Sequence, residues 1–127
     1  MSDESVSVLV VEDEDPIRAL LEEILSPRFV CFTTPNANEA TRLIESHFFN
    51  LILADIGLPG MSGLELCRFV AKKSPRTVVV MISGNVDDQS LADAKQAGAF
   101  DFITKPFDLA DVVATVKRAL QHQASQA

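Results

Sequence analysis

The 127-residue chain contains no tryptophan and no tyrosine, and only two cysteines. Without those rings, and with eight phenylalanines as its only benzenoid side chains, it lacks the usual stacking platforms for single-stranded nucleic acid. Cys31 and Cys67 form no C-x-x-C pair and both lie in apolar surroundings. They read as buried, reduced thiols rather than as a disulfide or as catalytic groups. Long hydrophobic runs are missing as well. The longest, such as Val78-Val79-Val80-Met81-Ile82, are strand length, far below the roughly 20 residues of a membrane span. Met1 to Ser7 is polar and does not read as a secretory signal, so the expected compartment is the cytoplasm. Positive charge is scarce: 11 Lys and Arg face 18 acids, for a formal charge of −7. Lys72-Lys73 and Lys117-Arg118 are short pairs in helical patterns, which argues against a direct nucleic-acid or membrane surface. Repeats and low-complexity segments are absent and every loop is short. Residues 1–127 therefore read as a single domain, with a core of about 5–120 and a polar tail or start of a linker at 121–127.

What is present is alternation. Val6 to Val11 is a β-branched run that stops at Glu12-Asp13-Glu14-Asp15. Helical spacing follows at Ile17, Leu20, Leu21, Ile24 and Leu25, with Asp15 expected as cap and Pro16 in the first turn. Phe29–Thr33 makes a second strand. Asn36 with Glu39 resembles a capping box for a helix whose buried side carries Ala40, Leu43, Ile44 and His47. Leu51-Ile52-Leu53-Ala54 is a third strand, stopped by Asp55 and followed by the loop Gly57-Leu58-Pro59-Gly60-Met61-Ser62-Gly63. A helix then turns Leu66, Cys67 and Val70 inward and ends before Pro75. Thr77–Ile82 is the fourth strand, leading to Ser83-Gly84-Asn85. The next helix, near Asp87 to Ala97, has Leu91 as its one large apolar residue and Gly98 as its cap. Phe100–Ile103 runs into Thr104-Lys105-Pro106-Phe107. The last helix has an apolar stripe of Leu109, Val112, Val113, Val116, Ala119 and Leu120.

Strands that alternate with helices predict an α/β fold: a doubly wound, five-stranded parallel sheet with helices on both faces. The continuous apolar character of strands one, three and four suits central positions. The flavodoxin-like order 2-1-3-4-5 satisfies this. In such a sheet all carboxyl ends share one edge, which gathers Glu12, Asp13, Asp55, Ser83 and Lys105. Singly, each is an ordinary turn or cap residue. Together, carboxylates so placed repel one another and call for a cation, and oxygen-only ligands suit Mg²⁺. His47 and His122 lie on helices away from the cluster, which disfavours zinc. A hard cation, a carboxylate and a lysine are the parts of phosphoryl transfer. Composition leaves open which carboxylate attacks. Asp55 is favoured because it ends a central strand before a glycine-rich loop, whereas the adjacent Glu12 and Asp13 suit metal holding.

Four segments, in order and spacing, carry a resemblance: Val8-Leu9-Val10-Val11-Glu12-Asp13; Leu53-Ala54-Asp55-Ile56-Gly57-Leu58-Pro59-Gly60-Met61-Ser62-Gly63; Met81-Ile82-Ser83-Gly84; and Gly98-Ala99-Phe100-Asp101-Phe102-Ile103-Thr104-Lys105-Pro106-Phe107. Over about residues 5–120 the chain resembles the response-regulator receiver domains of two-component signalling and phosphorelays. The resemblance implies Asp55 as phosphoacceptor and Glu12, Asp13, Asp55 and the backbone carbonyl of Gly57 around Mg²⁺, with Mn²⁺ as a substitute. It implies that Ser83 and Lys105 contact phosphoryl oxygens, that Lys105-Pro106 is a cis peptide, and that Ser83 and Phe102 form the switch. The implied donor is a sensor histidine kinase or a histidine phosphotransfer protein. The output is a downstream effector, a fused domain or a phosphorylation-linked homodimer, reached through the fourth helix, fifth strand and fifth helix. Such a domain is no dedicated enzyme but promotes its own phosphorylation and dephosphorylation.

Gly57 and Ser62 depart from the commonest pattern of that family, and the combination of Gly57 with Asn85 is expected to set the phosphoryl lifetime. Gly57 has no side chain to meet an attacking water, and Asn85 is neutral but can orient one. Ser62, where an Asp is common, is expected to affect only the loop turn. Among rival readings, an FMN carrier would need a phosphate cradle where four acids stand. A hydrolase acting on outside substrates would need a lid that these short loops do not supply. The remaining alternative is a receiver-like interaction module not regulated by phosphorylation, for which the full acidic cluster, Ser83 and Lys105 would be superfluous.

Overall fold

The computed structural model describes residues 6–84 and 87–125. The strands are β1 (Ser7–Val11), β2 (Val30–Thr34), β3 (Leu51–Asp55), β4 (Val78–Ser83) and β5 (Asp101–Thr104). The helices are α1 (Asp15–Leu25), α2 (Ala37–Ser46), α3 (Gly63–Lys73), α4 (Asp88–Ala97) and α5 (Leu109–Ser125). All strand pairs are parallel and the order is β2-β1-β3-β4-β5, as read from the sequence.

Period-two alternation within the strands divides the core in two. Leu9, Val11, Ile52, Ala54, Val79 and Met81 face α2, α3 and α4, while Val8, Val10, Leu51, Leu53, Val80 and Ile82 face α1 and α5. Both faces of β1, β3 and β4 are covered, which is why those strands read as unbroken apolar runs.

Several local expectations change. Glu14, not Asp15, is the N-cap of α1, and its side chain makes no capping bond. His47 is exposed at the C-cap of α2, where its ring lies 5.3 Å from that of Phe32. Asn36 accepts from the Glu39 amide as expected, but the complete capping box belongs to Ser62 and Glu65. Ser62 therefore starts α3 rather than merely shaping a loop. Leu91 stays 38% exposed, and α4 is anchored by Ala94 and Ala97. Leu109 is 57% exposed at the start of α5, so the buried stripe begins at Val112. The helix continues to Ser125 through residues that read as tail, because Gln123 is buried and accepts from Asn50 Nδ2 at 3.3 Å. Thr77 stays out of the ladder: its amide closes a turn onto Ser74 and its hydroxyl donates to the Phe49 carbonyl. Cys67 is buried and Cys31 half-buried; both are free thiols that desolvation pushes up to about 11.

Candidate functional site

The register of the sheet sets the site. Val11 pairs with Ala54, Asp55 with Ile82, and Ser83 with Thr104, so the carboxyl ends of β1, β3, β4 and β5 finish together. Glu12, just after β1, is held by its backbone: its amide donates to the Thr34 carbonyl, and the Glu12 carbonyl accepts from Arg18 Nη1 at 2.9 Å. Its side chain is 0% exposed, with Oε2 accepting from the Glu14 amide at 3.1 Å. Asp13 is exposed. Asp55, buried at the end of β3, accepts from the Gly57 amide at 2.8 Å through Oδ1. One oxygen each of Glu12, Asp13 and Asp55 fall within 4.8 Å of one another.

Lys105 enters from β5, where its amide donates to the Ser83 carbonyl at 2.8 Å and its peptide with Pro106 is cis. Its Nζ lies 2.5 Å from Asp55 Oδ2, 2.9 Å from Glu12 Oε1 and 3.0 Å from Glu14 Oε1. The Glu12 contact is an ion pair by distance but lacks hydrogen-bond geometry, which leaves Oε1 a fully buried oxygen with no hydrogen-bond donor. An oxygen-only set with such an atom fits a hard cation.

Charge is finely opposed here. Burial pushes the Glu12 carboxyl up to about 7, and Asp55 beside it adds to the rise, against the Glu14 amide and Lys105. Burial by itself would lower Lys105; its contacts with Asp55, Glu12 and Glu14 together outweigh that and raise it. The Glu12 shift has a consequence for the cation-free protein. Between the unfolded value of 4.5 and the folded value near 7, the native state keeps a proton that the unfolded chain has released. The contribution of this group is thus fully present below the unfolded value and is lost as pH rises through the folded one. In EDTA, the stability of wild type relative to Glu12→Gln should fall by on the order of 2 kcal/mol from pH 5 to pH 8. Urea denaturation at the two pH values checks this, and a constant difference would refute it.

Of the residues singled out in the sequence, the fold brings together Glu12, Asp13, Asp55 and Lys105. Ser83 ends β4 on the same edge, buried and one residue past the partner of Asp55. Gly57 is exposed and reaches Asp55 through its amide. Phe102 stands apart, half-buried in β5, beside an apolar cavity of about 270 Å³ that Leu91, Ala94 and Lys95 also line. Asn85 lies outside the described residues. The sequence does not mark Glu14: inside a run of four acids nothing distinguishes the one that meets a lysine 91 residues away.

The sequence model of the response regulator receiver domain matches residues 8–117. The transcriptional regulator NtrC of Salmonella typhimurium is 37% identical over 120 residues, and that of Escherichia coli K12 is 36% identical over 120. Each match covers 94% of this chain but 26% of the relative, so the chain spans about a quarter of their length. Among solved structures, a CheY-like receiver domain protein from Methanospirillum hungatei superposes with a TM-score of 0.91 at 30% identity, over 96% of this chain and 98% of that one. The beryllofluoride-activated NtrC4 receiver domain dimer gives 0.87 at 31% identity, over 92% and 98%.

Proposed function

The chain belongs to the response regulator receiver domain family, and from that premise we propose that it is a switch that accepts a phosphoryl group on Asp55. The donor is a phosphohistidine on a sensor histidine kinase or a histidine phosphotransfer protein. The observation that carries this reading is the meeting of Glu12, Asp13 and Asp55 within 4.8 Å, with Lys105 seated on Asp55. These carboxylates and the Gly57 carbonyl would hold Mg²⁺, or Mn²⁺ in its place, which supplies positive charge against the phosphoryl oxygens.

The remaining work falls to the chain itself. A carboxylate oxygen of Asp55 bonds to phosphorus as the phosphorus–nitrogen bond of the donor breaks, and the electron pair leaves with the imidazole. Lys105 pairs with one phosphoryl oxygen and the Ser83 hydroxyl donates to another. Gly57 leaves one side of the acceptor bare: a Cβ there would sit 3.6 Å from Asp55 Oδ1. Gly57 and Asn85 together set how readily water reaches the acyl phosphate, and so its lifetime.

The response is carried by α4, β5 and α5. With two buried alanines as its anchors, α4 opens at low cost. Ser83 moves toward the phosphoryl group and Phe102 turns inward. Phe102 has no hydroxyl, so packing alone separates its two positions. The altered surface meets a downstream effector, a fused output domain or a second phosphorylated copy. The domain is a signalling unit rather than a dedicated enzyme, although it promotes its own phosphorylation and dephosphorylation. No helix among the described residues is long and apolar enough to cross a membrane, and we place the switch in the cytoplasm. Intact mass spectrometry after incubation with acetyl phosphate tests the reading. A gain of one phosphoryl unit with Mg²⁺ and none in EDTA is expected; no gain in either condition would overturn it.

A further inference from the structure

Glu14 occupies the N-cap of α1, a position that favours Ser, Thr, Asn or Asp because a short side chain can accept from the first helical amides. Its side chain makes no such bond. The backbone on either side is nonetheless fixed: the Glu14 amide donates to Glu12 Oε2 at 3.1 Å, and its carbonyl accepts from Arg18 at 2.9 Å. The carboxylate instead reaches across the sheet edge to Lys105, placing Oε1 3.0 Å from Nζ. The helix thus forgoes a cap, and the lysine gains a third partner.

That partner differs from the other two. Asp55 and Glu12 belong to the cation cluster, whereas Glu14 does not. An ammonium and a divalent cation compete for the same oxygens and repel each other. When Glu12 and Asp55 turn to a cation, Glu14 is the carboxylate left to hold Lys105 at the rim of the site. We propose that Glu14 is a positioning residue that retains Lys105 when a divalent cation takes over Glu12 and Asp55. The proposal rests on reading the cluster as a cation-dependent phosphoacceptor site.

In Glu14→Gln the ammonium has only the cation's own ligands to lean on, so it opposes cation entry. Mg²⁺ affinity should fall about two- to fivefold, the range of a partly exposed ion pair. Most of that loss should vanish when Lys105 is already alanine. Glu14→Asp keeps the charge but loses reach and turns toward the helix amides, and should resemble Glu14→Gln. The chain has neither tryptophan nor tyrosine, so the probe is MgCl₂ in isothermal titration calorimetry. Wild type, Glu14→Gln, Glu14→Asp, Lys105→Ala and the Glu14→Gln/Lys105→Ala double variant are titrated at about 0.15 M salt to limit long-range attraction. Circular dichroism establishes that each is folded. Wild type that binds no Mg²⁺ would overturn the phosphoacceptor reading, and this proposal with it. Wild type that binds, with Glu14→Gln unchanged, would overturn the proposal alone. Equal losses with and without Lys105, or Glu14→Asp matching wild type, would show Glu14 acting only by its charge on the cation, which also overturns it.

Discussion

Asp55→Asn should take up no phosphoryl group under conditions in which the wild type is fully labelled, and should remain folded. The amide has the shape of the carboxylate and keeps an oxygen to accept from the Gly57 amide, now bonded at 2.8 Å. It lacks the nucleophilic oxygen pair, so no acyl phosphate can form. The electrostatic changes oppose each other. Lys105 loses its nearest partner, while Glu12 is freed from the like charge that adds to its raised pKa. The melting temperature should therefore stay within about 5 °C of wild type. Intact mass and thermal denaturation read the two halves of the expectation. Stoichiometric labelling of the variant would move the acceptor elsewhere, with Glu12 and Asp13 the other carboxylates of the cluster.

Gly63→Ala should be among the most damaging single-methyl substitutions in the chain. A Cβ at Gly63 would lie 2.1 Å from the Asp55 carbonyl oxygen and 2.8 Å from Ile56 Cα, atoms of backbone that no rotamer change can clear. Either α3 retreats, breaking the bond from the Gly63 amide to the Ile56 carbonyl, or the end of β3 shifts and carries Asp55 with it. Forcing a core contact open usually costs about 1–3 kcal/mol, and this site belongs at or above the upper end. The melting temperature should fall by on the order of 10 °C. Gly60 is the control. Its φ of +73° strains a side chain, yet nothing lies within 4 Å of the added carbon, so Gly60→Ala should cost about 1–2 kcal/mol. Urea denaturation ranks the pair; equal stabilities would mean that the approach at Gly63 relaxes freely.

Gly63 also shows what sequence does and does not disclose. The β-branched runs and helical spacings reveal the strand order and the shared edge, because burial on both faces leaves an unbroken apolar signature. Asp55, Glu12, Asp13 and Lys105 follow, since each ends or follows a strand and topology does the gathering. Contacts between elements are another matter. That Gly63 touches the backbone of Asp55, that Gln123 belongs to the core through Asn50, and that Glu14 rather than its acidic neighbours meets Lys105 all depend on angles and distances that no periodicity encodes. Size misleads in the same way: Leu91 promised an anchor, but α4 approaches closely enough for alanines to serve.

Asn50, just before β3, lies at the edge away from the carboxylates, where it gathers three other elements. Its side chain accepts from the Ser7 amide and donates to Gln123, its amide donates to the Ser7 carbonyl, and its own carbonyl accepts from Val78. Polypeptide joined before β1 or after α5 would consequently hang from the rear of the molecule. Such a tether would start on the far side of the sheet from the edge where Glu12, Asp13, Asp55 and Lys105 meet.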